Sequence, residues 1–259
     1  MDALCYPLMV ASTRVKPANA SNITSSYINS GTASYDPDEN VLTLDNLEIE
    51  TDSRNGGIQA EIANMTVQLV GDNTITLTGT NNNAIGISFN ESSGVTVTGG
   101  GSLTMSGGNS GNIMFLNTHQ PVDSVMFTIK DCTVNATPYS DDYEENLTVD
   151  NATLRGTGLS IGHTLVLKDC YVAKPAGASF EYGMFCIDGE YYYGDFEILP
   201  GSGLLKGDVN GDGIVNGSDV TALYNYLEGL PYGGDGDVNG DGVVSGADVT
   251  ALYNILLNS

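Results

Sequence analysis

The chain contains no tryptophan, so its aromatic surface rests on 14 tyrosines and six phenylalanines. Positive charge is almost as scarce. Eight Lys and Arg stand against 32 Asp and Glu, a net charge of −24 over 259 residues. A surface of that sign repels nucleic-acid phosphates and anionic membranes, and both are excluded as partners. No stretch approaches the roughly 18–20 apolar residues of a spanning helix, so no membrane insertion is expected. Met1-Asp2-Ala3-Leu4-Cys5-Tyr6-Pro7 has neither the basic segment nor the long apolar run of a secretory signal. Met1 reads as an added start on a mature or excised fragment. The cysteines (Cys5, Cys132, Cys170 and Cys186) show no close metal-type spacing and do not fix the redox compartment.

What the chain has in quantity is oxygen-bearing side chains in a repeated frame. Residues 207–225 recur at 236–254, with 16 of 19 positions identical. Each copy places oxygen donors at loop positions 1, 3, 5, 9 and 12 with a glycine at position 6, the pattern by which a chain wraps a hard cation such as calcium. In the first copy these are Asp208, Asn210, Asp212, Asn216 and Asp219, with Gly213 at the turn; in the second they are Asp237, Asn239, Asp241, Ser245 and Asp248, with Gly242. Ile214 and Val243, at position 7, are expected to offer a main-chain carbonyl while their side chains pack inward. Position 12 falls in the first turn of a following helix, where the helix dipole favours a carboxylate. Val220, Leu223, Tyr224 and Leu227, and Val249, Leu252, Tyr253 and Leu256, recur at helical spacing. Two EF-hand-like sites and two Ca²⁺ ions are therefore expected. From Gly207 onward there are eight acidic side chains and no basic one, six of the eight at ligand positions. The cation relieves that repulsion, and the metal-free segment should fold poorly.

Position 12 carries Asp where the usual helix–loop–helix site carries Glu, and no ordinary helix precedes the first loop. A duplicated loop-plus-one-helix unit of this kind resembles the type I dockerin module of cellulosome-like systems, over about residues 206–259. The resemblance implies an all-α module at 207–259, two calcium ions and docking on a cohesin, with docking on its own chain as the other option. The residues just before the last ligand, which contribute to partner choice in that family, are Gly217-Ser218 and Gly246-Ala247 here. Weak loops of this type suit millimolar extracellular calcium, which points to a secreted or cell-surface bacterial protein.

Residues 40–199 read as strands almost throughout, in short alternating runs broken by Gly, Asn and Asp. Several runs end in one kind of turn: Leu44-Asp-Asn-Leu47, Ile129-Lys-Asp-Cys132, Val149-Asp-Asn-Ala152 and Leu167-Lys-Asp-Cys170. Leu44, Leu69, Val97, Ile129, Val149 and Leu167, taken as equivalent, lie 25, 28, 32, 20 and 18 residues apart. A drifting period without intervening helices argues for a solenoid, and the expected fold is mainly β: a single-stranded right-handed parallel β-helix over residues 1–199. Residues 1–40 form its opening cap, and 200–206 a linker to the dockerin-like module. Cys132 and Cys170 are expected at one register as buried thiols. Asn46, Asn73 and Asn151 invite an asparagine ladder, with chance as the rival given how common Asn is.

Tyr6-Pro-Leu-Met-Val10, Gly31-Thr-Ala-Ser-Tyr35-Asp36-Pro37 and Val41-Leu-Thr-Leu-Asp-Asn46 look like bacterial surface β-helix proteins described as carbohydrate-binding, over about residues 6–170. That resemblance implies secretion and polysaccharide contact, not a defined reaction. Tyr182, Tyr191, Tyr192 and Tyr193 are the candidate sugar platforms, with capping of the last coil as their other role. The β-helix architecture also hosts pectate lyases and polygalacturonases, so a lyase or hydrolase is the alternative, and an adhesin or spacer the second. Catalysis needs an acid and a base on one groove. The available fragments, Asp141-Asp142 and Gly162-His163, and the bases Arg54, Lys130, Arg155, Lys168 and Lys174, form no complete motif. Asp141-Asp142-Tyr143-Glu144-Glu145 could seat a further calcium but reads as a solvated loop. No catalytic residue is assigned, and a non-catalytic polysaccharide-associated protein is the expectation.

Overall fold

The computed structural model describes residues 4–52, 56–78, 86–90, 94–107, 113–116, 126–140, 146–162, 164–201, 206–211, 214–230, 234 and 236–258. The chain divides into two compact units, Met1–Pro200 and Gly201–Ser259.

In the first unit, short strands pair in parallel with the equivalent strand of the next repeat. One ladder runs from β4 (Val41–Thr51) through β6 (Thr66–Val70), β9 (Val95–Thr98), β12 (Met126–Lys130), β15 (Asn146–Asp150) and β17 (Thr164–Lys168). A second runs from the far half of β4 through β7 (Asp72–Leu77), β10 (Ser102–Gly107), β13 (Thr133–Asn135) and β16 (Thr153–Thr157). A third, in its own sheet, joins β5 (Ile58–Ala60), β8 (Ile87–Asn90), β11 (Ile113–Leu116) and β14 (Pro138–Ser140). It begins antiparallel, with β1 (Leu8–Val10) on β5 and β2 (Thr13–Arg14) on β1.

The strands are short because one residue turns each corner between the first and second ladders. Asn46, Asp131, Asn151 and Asp169 all stand at φ between 45° and 51°, and Gly71 takes the same corner at φ 62°. Asn and Asp tolerate this left-handed conformation, and Gly adopts it freely. The recurrent Asp-Asn and Lys-Asp turns of the sequence are these corners. Inward residues then stack from repeat to repeat: Leu42, Val67, Val97, Ile129, Val149 and Leu167 form one continuous row. Leu44 pairs with Leu69 as the sequence implied, but Val97 pairs with Val67 and not with Leu69. The slip is two residues, which leaves the buried face unchanged.

The single-stranded β-helix solenoid expected from the sequence is not what forms: the domain is mainly β, as expected, but its main sheet is nearly closed and barrel-like. The eleven residues of β4 run straight through the Asn46 corner, pairing with β6 by the first half and with β7 by the second, so two faces fuse into one sheet. At the other end β22 (Asp195–Pro200) returns antiparallel between β16 and β18 (Cys170–Lys174). The twelve-strand path thus begins at β17 and ends at β18, neighbours in sequence, and the sheet is nearly closed and barrel-like. Closure covers strand edges that an open stack would expose. Two further pieces complete the unit: β3 (Ile28–Asp36), antiparallel on β4, and a small sheet of β19 (Ser179–Glu181), β20 (Met184–Ile187) and β21 (Glu190–Tyr191).

The asparagine ladder does not form. Asn46 and Asn151 sit at corners, whereas Asn73 points inward in the row of Leu103, Val134 and Leu154. Its buried amide accepts from Leu47 N at 2.9 Å and donates to Ser102 O at 3.1 Å. Cys132 and Cys170 do share a register, with Ala152 between them, Cys170 Sγ donating to Ala152 O at 3.4 Å; Cys132 is buried, but Cys170 only half-buried. Among the described residues none of the four cysteines is in a disulfide. Burial pushes the Cys132 thiol up to about 12. Iodoacetamide at pH 8 is therefore expected to leave Cys132 unmodified in the native protein and to alkylate it once guanidinium is added; peptide mass mapping checks this.

The second unit is two helices, α1 (Gly217–Leu227) and α2 (Gly246–Asn258), each following one loop. Its core is the sequence repeat made physical. Val209, Val220 and Leu223 from the first copy pack with Val238, Val249 and Leu252 from the second.

Candidate metal centre

In the second loop the acidic side chains hold the backbone in a tight curl. Asp237 Oδ1 accepts from Gly240 N at 2.9 Å and Asp241 N at 3.1 Å, and its Oδ2 accepts from Gly242 N at 2.8 Å. Asn239 Oδ1 accepts from Asp241 N, and Asp241 Oδ1 from Val243 N. Gly242 stands at φ 84°, the geometry for which the sequence keeps a glycine at position 6. Asp248, in the first turn of α2, reaches back across the loop, accepting from Asn239 N at 3.0 Å and Ser245 N at 2.7 Å.

The first loop repeats these contacts where it is described. Asp208 Oδ1 accepts from Gly211 N at 2.9 Å, and Asp219 accepts from Asn210 N at 3.1 Å and Asn216 N at 2.7 Å. Asn216 caps α1 by accepting from Ser218 N at 2.7 Å. Asp212 and Gly213 lie outside the described residues, as do the acidic run 141–145, His163 and Arg54.

Position 7 departs from expectation. Ile214 and Val243 are 62% and 63% exposed, not packed inward. The next residue of each copy, Val215 and Val244, fills the core instead, and adjacent side chains of a curled loop cannot both point in. Tyr224 and Tyr253 are also exposed, on the outer faces of their helices. Gly217, Ser218, Gly246 and Ala247 are exposed in the first helical turns.

The electrostatics test whether calcium fits. Asp208, Asp219 and Asp248 are 2%, 0% and 0% exposed, in a segment with no Lys, Arg or His after Lys206. Burial pushes the Asp248 carboxyl up, but the hydrogen bonds from Asn239, Ser245 and its own backbone outweigh it and hold the group below the usual carboxylate range. The carboxylate is ionised and has no cationic side chain to neutralise it. Burying such a charge costs several kcal/mol unless it is paired. Among the described residues no three His, Cys, Asp or Glu side chains form a ready metal-holding cluster. The carboxylate oxygens of Asp237 and Asp241 are engaged with loop N–H groups, and the rest of each donor set is Asn, Ser and main-chain oxygen. An all-oxygen set around buried anions suits calcium and excludes softer metals.

In the first unit the tyrosines picked as sugar platforms belong to the small sheet of β19–β21 and the residues directly after it. Tyr182 lies in the turn between β19 and β20, Tyr191 in β21, and Tyr193 beyond it, while Tyr192 turns in and donates to Asp195 O at 3.1 Å. Two of the candidate bases are spent on ion pairs: Lys130 with Asp150 at 3.2 Å and Arg155 with Glu197 at 2.6 Å. The sequence marked no ligand contact at an open cleft of about 470 Å³ lined by Tyr6, Pro17, Ser21, Ser34, Tyr35 and Asp36. Tyr6 and the Ser34-Tyr35-Asp36-Pro37 run stood out there, as parts of a motif.

Residues 206–257 match the type I dockerin domain. No curated protein and no solved structure matches the chain.

Proposed function

We propose, from a carboxyl-terminal segment that is a type I dockerin domain, that the protein is an extracellular component held in a cellulosome-type assembly by calcium-dependent docking on a cohesin. The observation that carries this reading is the trio of buried carboxylates, Asp208, Asp219 and Asp248, in a stretch with no Lys, Arg or His after Lys206. Two calcium ions are assigned, one per loop: Asp208, Asn210, Asp212, Asn216 and Asp219 with the Ile214 carbonyl, and Asp237, Asn239, Asp241, Ser245 and Asp248 with the Val243 carbonyl. The ion supplies the positive charge that lets both loops close. The chain's own residues do the rest, curling the backbone and fixing the first turns of α1 and α2, where Gly217-Ser218 and Gly246-Ala247 face outward.

The β domain is read as a non-catalytic polysaccharide-contacting module. The engagement of Lys130 and Arg155 in ion pairs removes two of the five candidate bases a lyase could use unengaged. Immobilised cohesins of several types should retain the full chain in calcium and release it in EGTA, a loss on the order of 100-fold or more in affinity. Retention unaffected by EGTA, or no retention on any cohesin, sinks the docking reading. In the latter case a compact monomer with protected helices points to docking on its own chain. Incubation with pectins and xylans should yield no new reducing ends or unsaturated products, and either product would favour the enzyme.

A further inference from the structure

We propose that the cleft bounded by Tyr6, residues 17–21 and the turn after β3 is a subsite for a neutral oligosaccharide. The inference rests on the reading of the β domain as polysaccharide-contacting, and it moves the contact away from Tyr182 and Tyr191–Tyr193.

The cleft is built, not incidental. Residues 17–23 cross β3 and are bonded to it, Tyr35 N donating to Ala20 O at 2.7 Å and Ile23 N to Ala33 O at 2.8 Å. Asn19 fixes the crossing from within, accepting from Lys16 N at 2.7 Å and donating to Arg14 O at 3.2 Å. Tyr6 and Tyr35 meet edge to face, centroids 5.2 Å apart at 66°. Tyr35 is pinned by its hydroxyl, which donates to Asn40 Oδ1 at 2.8 Å. A pocket whose walls are already fixed loses little entropy on binding.

Its chemistry selects the ligand class. At about 470 Å³ the cleft lies within the ~300–1,000 Å³ of small-molecule sites. Half-buried Tyr6 and the rings of Pro17 and Pro37 offer apolar surface to the C–H face of a sugar. Asp36 supplies the polar anchor. Its Oδ1 accepts from Asp38 N at 2.9 Å and Glu39 N at 3.2 Å, which orients the carboxylate and leaves Oδ2 outside that turn. Ser21 and Ser34 add hydroxyls that donate or accept. Among the described residues no basic side chain lines the cleft, so a uronate or phosphate would meet Asp36 without a counter-charge.

The test is calorimetric titration of the full chain with cellohexaose, xylohexaose, mannohexaose and tetragalacturonate. Three forms are compared: wild type, Asp36→Asn with Ser21→Ala, and Tyr191→Ala with Tyr193→Ala. Asp36→Asn keeps an oxygen for the turn, and Ser21→Ala alone serves as a second variant should the pair fail to fold. One or more neutral hexaoses should bind, and the cleft substitutions should lower affinity on the order of tenfold with an unchanged melting midpoint. Tyr191→Ala with Tyr193→Ala should change nothing. If binding survives the cleft substitutions, is lost with Tyr191 and Tyr193, or favours tetragalacturonate, the cleft is wrong while polysaccharide contact stands. If none of the four sugars binds, both fall.

Discussion

In excess EGTA the carboxyl-terminal unit should lose the helical signal of α1 and α2 at 222 nm, while the sheet signal of residues 1–200 persists. Magnitudes decide the matter. A unit of this size, at roughly 0.05–0.15 kcal/mol per residue, has about 3–9 kcal/mol of stability in total. Calcium held 100-fold above its Kd adds about 2.7 kcal/mol at each site. Two sites thus supply a term as large as the whole. The apolar contribution is small, since the buried core amounts to Val209, Val220, Leu223, Val238, Val249 and Leu252. Against it stand the ionised Asp208, Asp219 and Asp248, buried with no Lys, Arg or His after Lys206. Magnesium at the same concentration should restore less helix, because it gives up water reluctantly and demands octahedral geometry. Asp248→Asn should imitate partial chelation, since the amide still accepts one N–H but no longer carries charge. Amide exchange in α1 and α2 separates the two loops. Protection that is the same with and without calcium would refute the metal-dependent fold.

The curl of the two repeated loops was legible because its requirements are local. Asp at positions 1 and 12 and Gly at position 6 are dictated by contacts within a dozen residues, and the 29-residue repeat prints the demand twice. What the repeat did not show was which of two adjacent apolar residues turns inward. Ile214 and Val215 are both acceptable to a periodicity argument, and only the curl of the loop sends the second to the core. In the β domain the corners were legible for the same reason, since Asp131, Asn151 and Asp169 answer to their own φ angles. The row of inward residues was legible to within one slip of two positions, because a period of two fixes the face but not the partner. Closure was not legible. That β4 pairs with β6 and then β7, and that β22 returns between β16 and β18, depends on partners up to 44 residues away (Leu154 with Ile198) and leaves no mark on the composition of either strand. The Tyr6–Tyr35 cleft was hidden likewise, its walls coming from three separate segments.

Gly57→Ala should be among the most damaging single substitutions in the β domain, at more than about 4 kcal/mol, a range reserved for mutations that break the backbone arrangement itself. In the fold Gly57 opens β5 where three chains meet: its carbonyl accepts from Ala11 N at 2.7 Å, and Gly86 O accepts from Ile58 N at 2.9 Å. A Cβ on Gly57 would lie 1.8 Å from Gly86 O and 2.8 Å from Gly86 C. The obstruction is backbone, so no rotamer change relieves it, and β5 must separate from β8 while still tied to β1. This glycine is required by close approach and not by its own torsion. Gly100 is the converse control. It stands at φ 77° with nothing within 4 Å of an added Cβ, so Gly100→Ala meets only the left-handed penalty of about 1–2 kcal/mol. Urea unfolding of the two variants, followed by tyrosine fluorescence in saturating calcium, should give a far lower midpoint for Gly57→Ala. Equal midpoints would mean that β1, β5 and β8 can spread at little cost, and that the third ladder is not rigidly seated.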